Sequence, residues 1–277
     1  MTDNQIPLAG VIGHPIGHSK SPKLHGHWLK TYGLPGHYVP MDVAPEDLES
    51  VLRTLPKAGY VGANVTVPHK EAALQIADHV SDRAAKIGAA NTLVFQPDGS
   101  IHADNTDGYG FMENLLAGAP DWNPQDGPAV VFGAGGAARA VLQALVEAGV
   151  PEIILTNRTR ARADQLKEEF GPRITVVDWV KAGNVIENAE LVVNTTSLGM
   201  QGQPELRVPL DGLQPGSVVT DLVYVPLKTR LLQAAEEAGC TTVDGLGMLL
   251  HQAVPGFERW FGKRPEVTDE LRATVLG

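Results

Sequence analysis

Short apolar runs alternate along this chain with longer stretches in which apolar residues recur every three or four places. Leu8 to Gly13 reads as a first strand, and Ser21-Pro22 supplies the cap and first-turn proline of a helix start. Val39 to Val43 reads as a second strand. Leu48, Val51, Leu52 and Leu55 then fall at i, i+3, i+4 and i+7, one face of a helix. Tyr60 to Val67 is a third strand, and Pro68 opens a helix that runs through Ile76. Thr92 to Phe95 and Ile101 to Ala103 flank the turn Pro97-Asp98-Gly99, the pattern of a hairpin. The β-α-β-α order predicts an open, mainly parallel sheet.

A second pattern begins near Asp107. Asp107 to Leu116 reads as a helix, and the polar loop from Pro120 to Pro128 leads into Val130-Val131-Phe132. That run ends in Gly133-Ala134-Gly135-Gly136-Ala137-Ala138, after which the spacing turns helical. Strand, glycine turn and helix N-terminus are the layout of a dinucleotide fingerprint. Gly133 permits the turn, Gly135 lets backbone approach a pyrophosphate, and Ala138 lets helix and strand pack closely. Strands follow at Ile153 to Thr156, Ile174 to Val177, Leu191 to Asn194 and Val218 to Leu222, with helices between them, notably Arg160 to Phe170 and Lys228 to Ala238. Two helical stretches, roughly Gly247 to Phe257 and Val267 to Val275, end the chain. The predicted class is α/β. Residues 1–106 and 246–277 form an open, mainly parallel domain completed by the C-terminal helices, and residues 107–245 form a Rossmann-type domain.

Composition narrows the partners. The 277 residues carry 22 Lys plus Arg against 32 Asp plus Glu, a formal net charge of −10 that argues against nucleic acid or an anionic membrane. The single cysteine, Cys240, excludes an internal disulfide and any multi-thiolate metal site, and its place before Thr241-Thr242-Val243 suggests a small residue at a buried strand end. No apolar run reaches membrane-spanning length, and Met1-Thr2-Asp3-Asn4 lacks the basic start of a signal peptide, so the cytoplasm is the expected location. A homodimer is carried as an expectation that no motif supplies.

Candidate chemistry gathers at strand ends. After the second Rossmann strand, where an NAD-binding chain would carry an acid for the ribose hydroxyl, this one reads Thr156-Asn157-Arg158-Thr159-Arg160-Ala161-Arg162. Guanidiniums suit a 2′-phosphate, and cations at a helix N-terminus are unfavourable without an anion, so NADP is the expected cofactor. Ser19 and Ser21 can both donate to one anion, although Ser21 could equally cap the helix begun by Pro22. Strand alternation puts Asn64 and Thr66 on one side, and Lys70 lies in the first turn of the next helix. Asn91-Thr92 and Asp104-Asn105-Thr106-Asp107 add further polar groups. A lysine and an aspartate in one cleft form a pair able to exchange a proton near neutral pH, though most such pairs are surface ion pairs. His14, His18, His25 and His27 lack the spacing and companions of a metal site; no metal is expected, and His69 and His251 read as hydrogen-bonding residues.

Several separated motifs, in order, resemble the shikimate dehydrogenase family over essentially the full length. They are Gly-His-Ser-Lys-Ser-Pro at 17–22, Asn-Val-Thr-Val-Pro-His-Lys at 64–70, Gly-Ala-Ala-Asn-Thr at 88–92 and Asp-Asn-Thr-Asp-Gly at 104–108. Gly-Ala-Gly-Gly-Ala at 133–137, Asn-Arg-Thr at 157–159, Asn-Thr-Thr-Ser-Leu-Gly-Met at 194–200 and Asp-Gly-Leu-Gly-Met-Leu-Leu-His-Gln-Ala at 244–253 complete the series. The resemblance implies the NADP-dependent interconversion of 3-dehydroshikimate and shikimate, a step of aromatic amino-acid biosynthesis. It implies that Ser19 and Ser21 hold the substrate carboxylate, that Asn64, Thr66, Asn91, Asp107 and Gln252 contact ring hydroxyls, and that Tyr224 stands on the substrate side. Lys70 and Asp107 would be the catalytic pair. Cofactor positions would be Gly133, Ala134, Gly135, Gly136, Ala137, Asn157, Arg158, Thr159 and Arg162, with Thr196, Ser197, Met200, Leu222, Gly245 and Met248 nearer the ribose and nicotinamide.

Two alternatives stand beside this reading. One is a quinate or aminoshikimate dehydrogenase of the same fold, against which the two serines and Arg158 lean. The other is an NADP-sensing protein without turnover, which would be expected to lose Lys70 or Asp107 first; both are intact.

Overall fold

The computed structural model describes residues 6–277; the N-terminal stretch read for a leader lies outside them. The chain forms two compact units, one running to Thr106 and including Leu250–Gly277, the other Asp107–Leu249. The break thus falls a little later than the 245/246 boundary read from sequence.

The first unit opens with β1 (Leu8–Gly13), α1 (Ser21–Thr31), β2 (His37–Asp42), α2 (Leu48–Thr54), β3 (Tyr60–Val65) and α3 (Lys70–Ile76). It continues with β4 (His79–Val80), α4 (Asp82–Ile87), β5 (Thr92–Phe95) and β6 (Ile101–Asp104). The strands lie in the order β2-β1-β3-β5-β6-β4. The pairs β1/β2, β1/β3 and β4/β6 are parallel, while the hairpin strand β5 runs antiparallel to both neighbours. Alternation along the strands sorts the core. Ile12, Ala63, Val65, Leu93 and Ile101 pack with Leu48 and Leu52 of α2 on one face, and Ala9, Val11 and Tyr38 face Trp260 on the other.

Some elements differ from the sequence expectation. The second strand starts earlier, at His37, and keeps Pro40 because it is an edge strand, where a missing N–H costs no ladder bond. The third ends at Val65 rather than Val67: the His69 amide bonds the Thr66 carbonyl in a turn, and Val67 is 71% exposed. The two-residue β4 was missed, being too short to show a period.

The second unit comprises α5 (Asp107–Gly118), β7 (Ala129–Phe132), α6 (Gly136–Ala148), β8 (Ile153–Asn157), α7 (Arg160–Phe170), β9 (Ile174–Asp178), α8 (Ala182–Val185) and β10 (Leu191–Asn194). It closes with β11 (Val218–Asp221), α9 (Arg230–Glu237), β12 (Thr241–Val243) and the first residues of α10 (Leu246–His251), whose last two residues belong to the first unit. Its sheet is parallel throughout, in the order β12-β11-β10-β7-β8-β9. Central strands β7 and β10 are buried at every position, as a parallel sheet covered on both faces requires. Val131, Leu155 and Val193 meet Phe111, Val141 and Leu145 on one side; Val130, Phe132 and Val219 meet Leu231 and Leu232 on the other. A helix was expected in each crossover. Between β10 and β11 there is none, because Gly199, Gly202, Pro204, Pro209, Pro215 and Gly216 interrupt the segment; buried Leu206, Val208 and Leu213 cover the sheet instead.

The single stretch expected at Gly247–Phe257 is two helices, α10 and α11 (Val254–Phe261), because Pro255 starts a new first turn. The last helix is α12 (Asp269–Leu276), capped by the Thr268 hydroxyl. Helix α11 is tied to the first sheet twice. The Trp260 indole donates to the Leu93 carbonyl at 2.9 Å, and Arg259 bonds the Asp104 carboxylate at 2.8 Å. Burial alone would raise the Asp104 pKa. Hydrogen bonds from Arg83 and Ser81, the Arg83 charge and the Arg259 bond outweigh that and hold the carboxyl well below the usual range.

Gly62 of β3 makes the Trp260 contact possible: a Cβ there would overlap the Trp260 Nε1 and the Leu93 carbonyl oxygen. Gly62→Ala is expected to cost about 1–3 kcal/mol, because the backbone oxygen cannot move aside cheaply. Denaturant midpoints of the two proteins measure this, and equal midpoints would remove the close-approach explanation.

Candidate active site

In the first unit the polar strand ends form one connected, mostly buried network. Tyr38 donates its hydroxyl proton to Asn64 Oδ1 at 2.6 Å. Asn64 Nδ2 donates to the Asn91 carbonyl at 3.1 Å and the Thr92 hydroxyl at 3.3 Å. Asn91 Oδ1 accepts from the Thr92 hydroxyl (2.8 Å), the Thr106 amide (2.9 Å) and the Thr106 hydroxyl (3.1 Å). Asn91 Nδ2 reaches Gln252 Oε1 at 3.4 Å. Each amide bonds at both its oxygen and its nitrogen, which fixes its orientation.

Around this network stand the other first-unit candidates. Ser21 is the first residue of α1 and caps nothing: the preceding residue Lys20 occupies the cap position, and no side-chain capping bond forms. The capping alternative for Ser21 therefore falls away. Instead Ser19 Oγ accepts from the Ser21 amide at 3.3 Å. Thr66 is partly exposed and abuts Gly13, where a Cβ would lie 2.6 Å from its methyl group. Lys70 begins α3, and its carbonyl accepts from the Ala90 amide at 2.9 Å, one residue before Asn91. Three of the histidines are held in local contacts. His69 bonds the Val43 carbonyl at 2.8 Å, His14 pairs with Asp42 at 2.6 Å, and His25 is buried among aromatic rings. Among the described residues no group of three or more His, Cys, Asp or Glu could hold a metal.

The second unit carries the remaining candidates. Gly133 has φ +109°, a conformation that favours glycine, and a Cβ there would lie 2.6 Å from Thr195 Oγ1. At Gly135 and Gly136 a Cβ would meet nothing within 4 Å, so the space before the α6 N-terminus is not taken up by this chain. The Gly135 cap makes no side-chain bond, and the first turn holds no acid. Those free amides and that dipole fit a pyrophosphate. Ala134 and Ala137 line the same turn, both partly exposed. After β8, Asn157 Nδ2 holds the Thr159 carbonyl at 2.8 Å, shaping the turn. Arg160 is committed to Asp164 and Asp178, whereas exposed Arg158 and Arg162 have no carboxylate partner among the described residues. Two uncommitted guanidiniums after the second strand fit a 2′-phosphate.

The loop after β10 is fixed from beneath. Asn194 Oδ1 accepts from the Thr196 amide (3.1 Å) and hydroxyl (2.7 Å), and its Nδ2 donates to the Leu198 carbonyl and to Asp221. Ser197 and Met200 are exposed on that loop, and Tyr224 is partly buried, which raises its pKa. The Leu222 amide donates to the Asn194 carbonyl at 3.0 Å. Gly245 lies against the Leu222 carbonyl, too close for a Cβ, and Met248 packs on the core. Asp107 is the first residue of α5. Thr106 is among the polar strand-end groups read from sequence, whereas Tyr38 and Asp221 carry no sequence signal of their own. Their partners are distant in sequence and become neighbours only through strand order.

A Rossmann-type unit with open glycines and free arginines, joined to an α/β unit carrying a buried amide–hydroxyl network, defines a dinucleotide-dependent oxidoreductase. Family descriptions match in three segments: "Shikimate dehydrogenase substrate binding domain" over residues 11–93, "Shikimate / quinate 5-dehydrogenase" over 121–200, and "Shikimate 5'-dehydrogenase C-terminal domain" over 245–276. A shikimate dehydrogenase (NADP(+)) of Ruegeria sp. is 71% identical over 276 residues, covering 100% of both chains. Among solved structures, a Thermus thermophilus shikimate 5-dehydrogenase in complex with NADP(H) and shikimate is 39% identical, with a TM-score of 0.86 over 97% of this chain and 98% of that one. A quinate dehydrogenase from Corynebacterium glutamicum in complex with NAD is 33% identical, with a TM-score of 0.91 over 99% of each. The chain belongs to the shikimate dehydrogenase family.

Burial pushes the Asp221 carboxyl up to about 6, against hydrogen bonds from Thr229, Val223 and Asn194. The native chain therefore binds this proton more tightly than the unfolded one, and the stability it adds below the ordinary carboxylate range is lost as pH rises through about 6. Asp221→Asn keeps the shape without the ionisation. Its stability relative to the parent is expected to improve by on the order of 2 kcal/mol between acid and neutral pH. Parallel urea-unfolding curves across that range would contradict the assignment.

Proposed function

We propose that this protein catalyses the reversible, NADP-dependent reduction of 3-dehydroshikimate to shikimate. The carrying observation is the pairing of uncommitted Arg158 and Arg162 beyond an open glycine turn with an amide–hydroxyl network suited to a polyhydroxylated ring. The relatives named above support the same reading. Substrate binding is assigned to residues 1–106 with 246–277, and NADP binding to residues 107–245.

In this reading Ser19 and Ser21 hold the carboxylate, and Asn64, Thr66, Asn91, Gln252 and Tyr224 orient the ring through its hydroxyls. Amide and hydroxyl groups suit this task because they match hydroxyls as donors or acceptors without adding charge. Gly133, Ala134, Gly135, Gly136 and Ala137 hold the pyrophosphate. Asn157, Arg158, Thr159 and Arg162 hold the 2′-phosphate, and Thr196, Ser197, Met200, Leu222, Gly245 and Met248 border the ribose and nicotinamide. NADPH supplies the hydride that reduces the ring carbonyl carbon. As negative charge grows on the carbonyl oxygen, the Lys70 ammonium stabilises it and gives it a proton, and in the reverse direction the neutral Lys70 amine takes that proton back, with the Asp107 carboxylate as its charged partner in the pair.

The second reading, quinate turnover with NAD, draws on the similarity to the quinate dehydrogenase; the exposed Arg158 and Arg162 stand against it. A homodimer and a cytoplasmic location belong to the proposal as well. No described helix is long and apolar enough to cross a membrane.

Nicotinamide absorbance decides the activity: reduction is expected with shikimate and NADP, and far less with quinate or NAD. Comparable turnover of quinate with NAD would move the assignment to the second reading, and no turnover in any pairing, with NADP bound, would leave a sensor. In the same assay Lys70→Ala is expected to lower kcat by about 10²–10⁴-fold with a modest change in KM. An equal loss in both would take the proton-transfer role from Lys70.

A further inference from the structure

Tyr38 belongs to none of the sequence motifs, yet it stands at the centre of the first-unit network. It is 8% exposed, on the edge strand β2, and its only proton goes to Asn64 Oδ1 at 2.6 Å. Both Asn64 Nδ2 hydrogens are directed to the Asn91 carbonyl and the Thr92 hydroxyl, so the polar site of Asn64 that makes no hydrogen bond among the described residues is the second lone pair of Oδ1. An amide held this way offers an incoming ring hydroxyl an acceptor and never a donor.

The Tyr38 ring is itself fixed in place. His25 stacks flat on it, with centroids 3.9 Å apart and planes inclined by 8°, and Trp260 closes in at 6.1 Å. His25 is fully buried, and neither ring nitrogen finds a hydrogen-bond partner among the described residues. A buried polar side chain without partners costs on the order of 1–3 kcal/mol, so its presence calls for a reason. Burial, opposed only by the nearby Asn64 amide, lowers the His25 pKa to about 3, so the ring is neutral in the working range. A neutral, flat ring can brace Tyr38 without placing a charge beside Asn64.

We propose that Tyr38 is a positioning residue for substrate recognition, acting through Asn64: its hydroxyl sets the amide so that Asn64 accepts a hydrogen bond from a substrate hydroxyl. The inference rests on the shikimate reading above. Removing the Tyr38 hydroxyl leaves Asn64 Oδ1 without its buried donor and frees the amide to shift. The ring, its packing and the stacking on His25 remain.

The test is Tyr38→Phe in the intact protein, with separate kcat and KM values for shikimate and NADP, combined with Asn64→Ala in a double-mutant cycle. Tyr38→Phe is expected to raise the KM for shikimate roughly tenfold and leave the KM for NADP within about twofold. In the Asn64→Ala background the same change should have no further effect on the shikimate KM. An unchanged shikimate KM, parallel increases in both KM values, or additive effects in the double mutant would overturn the proposal. A folded parent protein with no shikimate turnover would instead overturn the functional reading, and this inference with it.

Discussion

The need to satisfy polar groups buried at strand ends governs the first unit. Asn91 is 3% exposed and Thr92 and Thr106 are fully buried, so each hydroxyl or amide left unpaired would cost on the order of 1–3 kcal/mol. The strand order meets that demand. Antiparallel pairing of β5 with β3 and β6 puts Thr92 opposite both Asn64 and Asp104, and the chain leaving β6 returns Thr106 to Asn91. The same bonds that stabilise the sheet edge hold side chains in set orientations before any ligand arrives. That is how a fold converts stability into preorganisation.

The second unit works by the opposite means, leaving groups uncommitted. Gly135 and Gly136 face open space, α6 starts without a side-chain cap, and Arg158 and Arg162 have no carboxylate partner among the described residues. The neighbouring Arg160 shows the contrast, because it is held by two aspartates. Beneath these free groups the scaffold is firmly packed. Buried Asn194 and Asp221 bind the loop after β10 to the strand beside it, and apolar side chains fill both faces of the sheet.

Much of this was legible in the sequence because the informative signals are local. Apolar runs such as Ala129 to Phe132 fix a buried parallel strand, and the turn at Gly133 follows directly from the glycine. The serine, amide and lysine candidates of the first unit lie on or beside strand ends that periodicity located. Elements shaped by tertiary context were less legible. Val67 reads as a strand residue, yet the Thr66–His69 turn turns it outward. The crossover after β10 carries enough leucine and valine to pass for a helix, but its glycines and prolines prevent one. Tyr38 was invisible as a site residue because β1 separates its strand from that of Asn64, and sequence carries no trace of that adjacency.

If the first-unit network is the substrate side proposed above, it exists before substrate binds. Amide hydrogen exchange at Thr106 and Val65 in the free protein tests it, since these amides bond Asn91 Oδ1 and the Asn91 carbonyl at 2.9 Å each. If the network is preformed, both amides exchange only through large-scale unfolding, and shikimate adds little protection at Thr106. Fast exchange of the Thr106 amide in the free protein, slowed only when shikimate is added, would show that the ligand builds the network and would contradict the account.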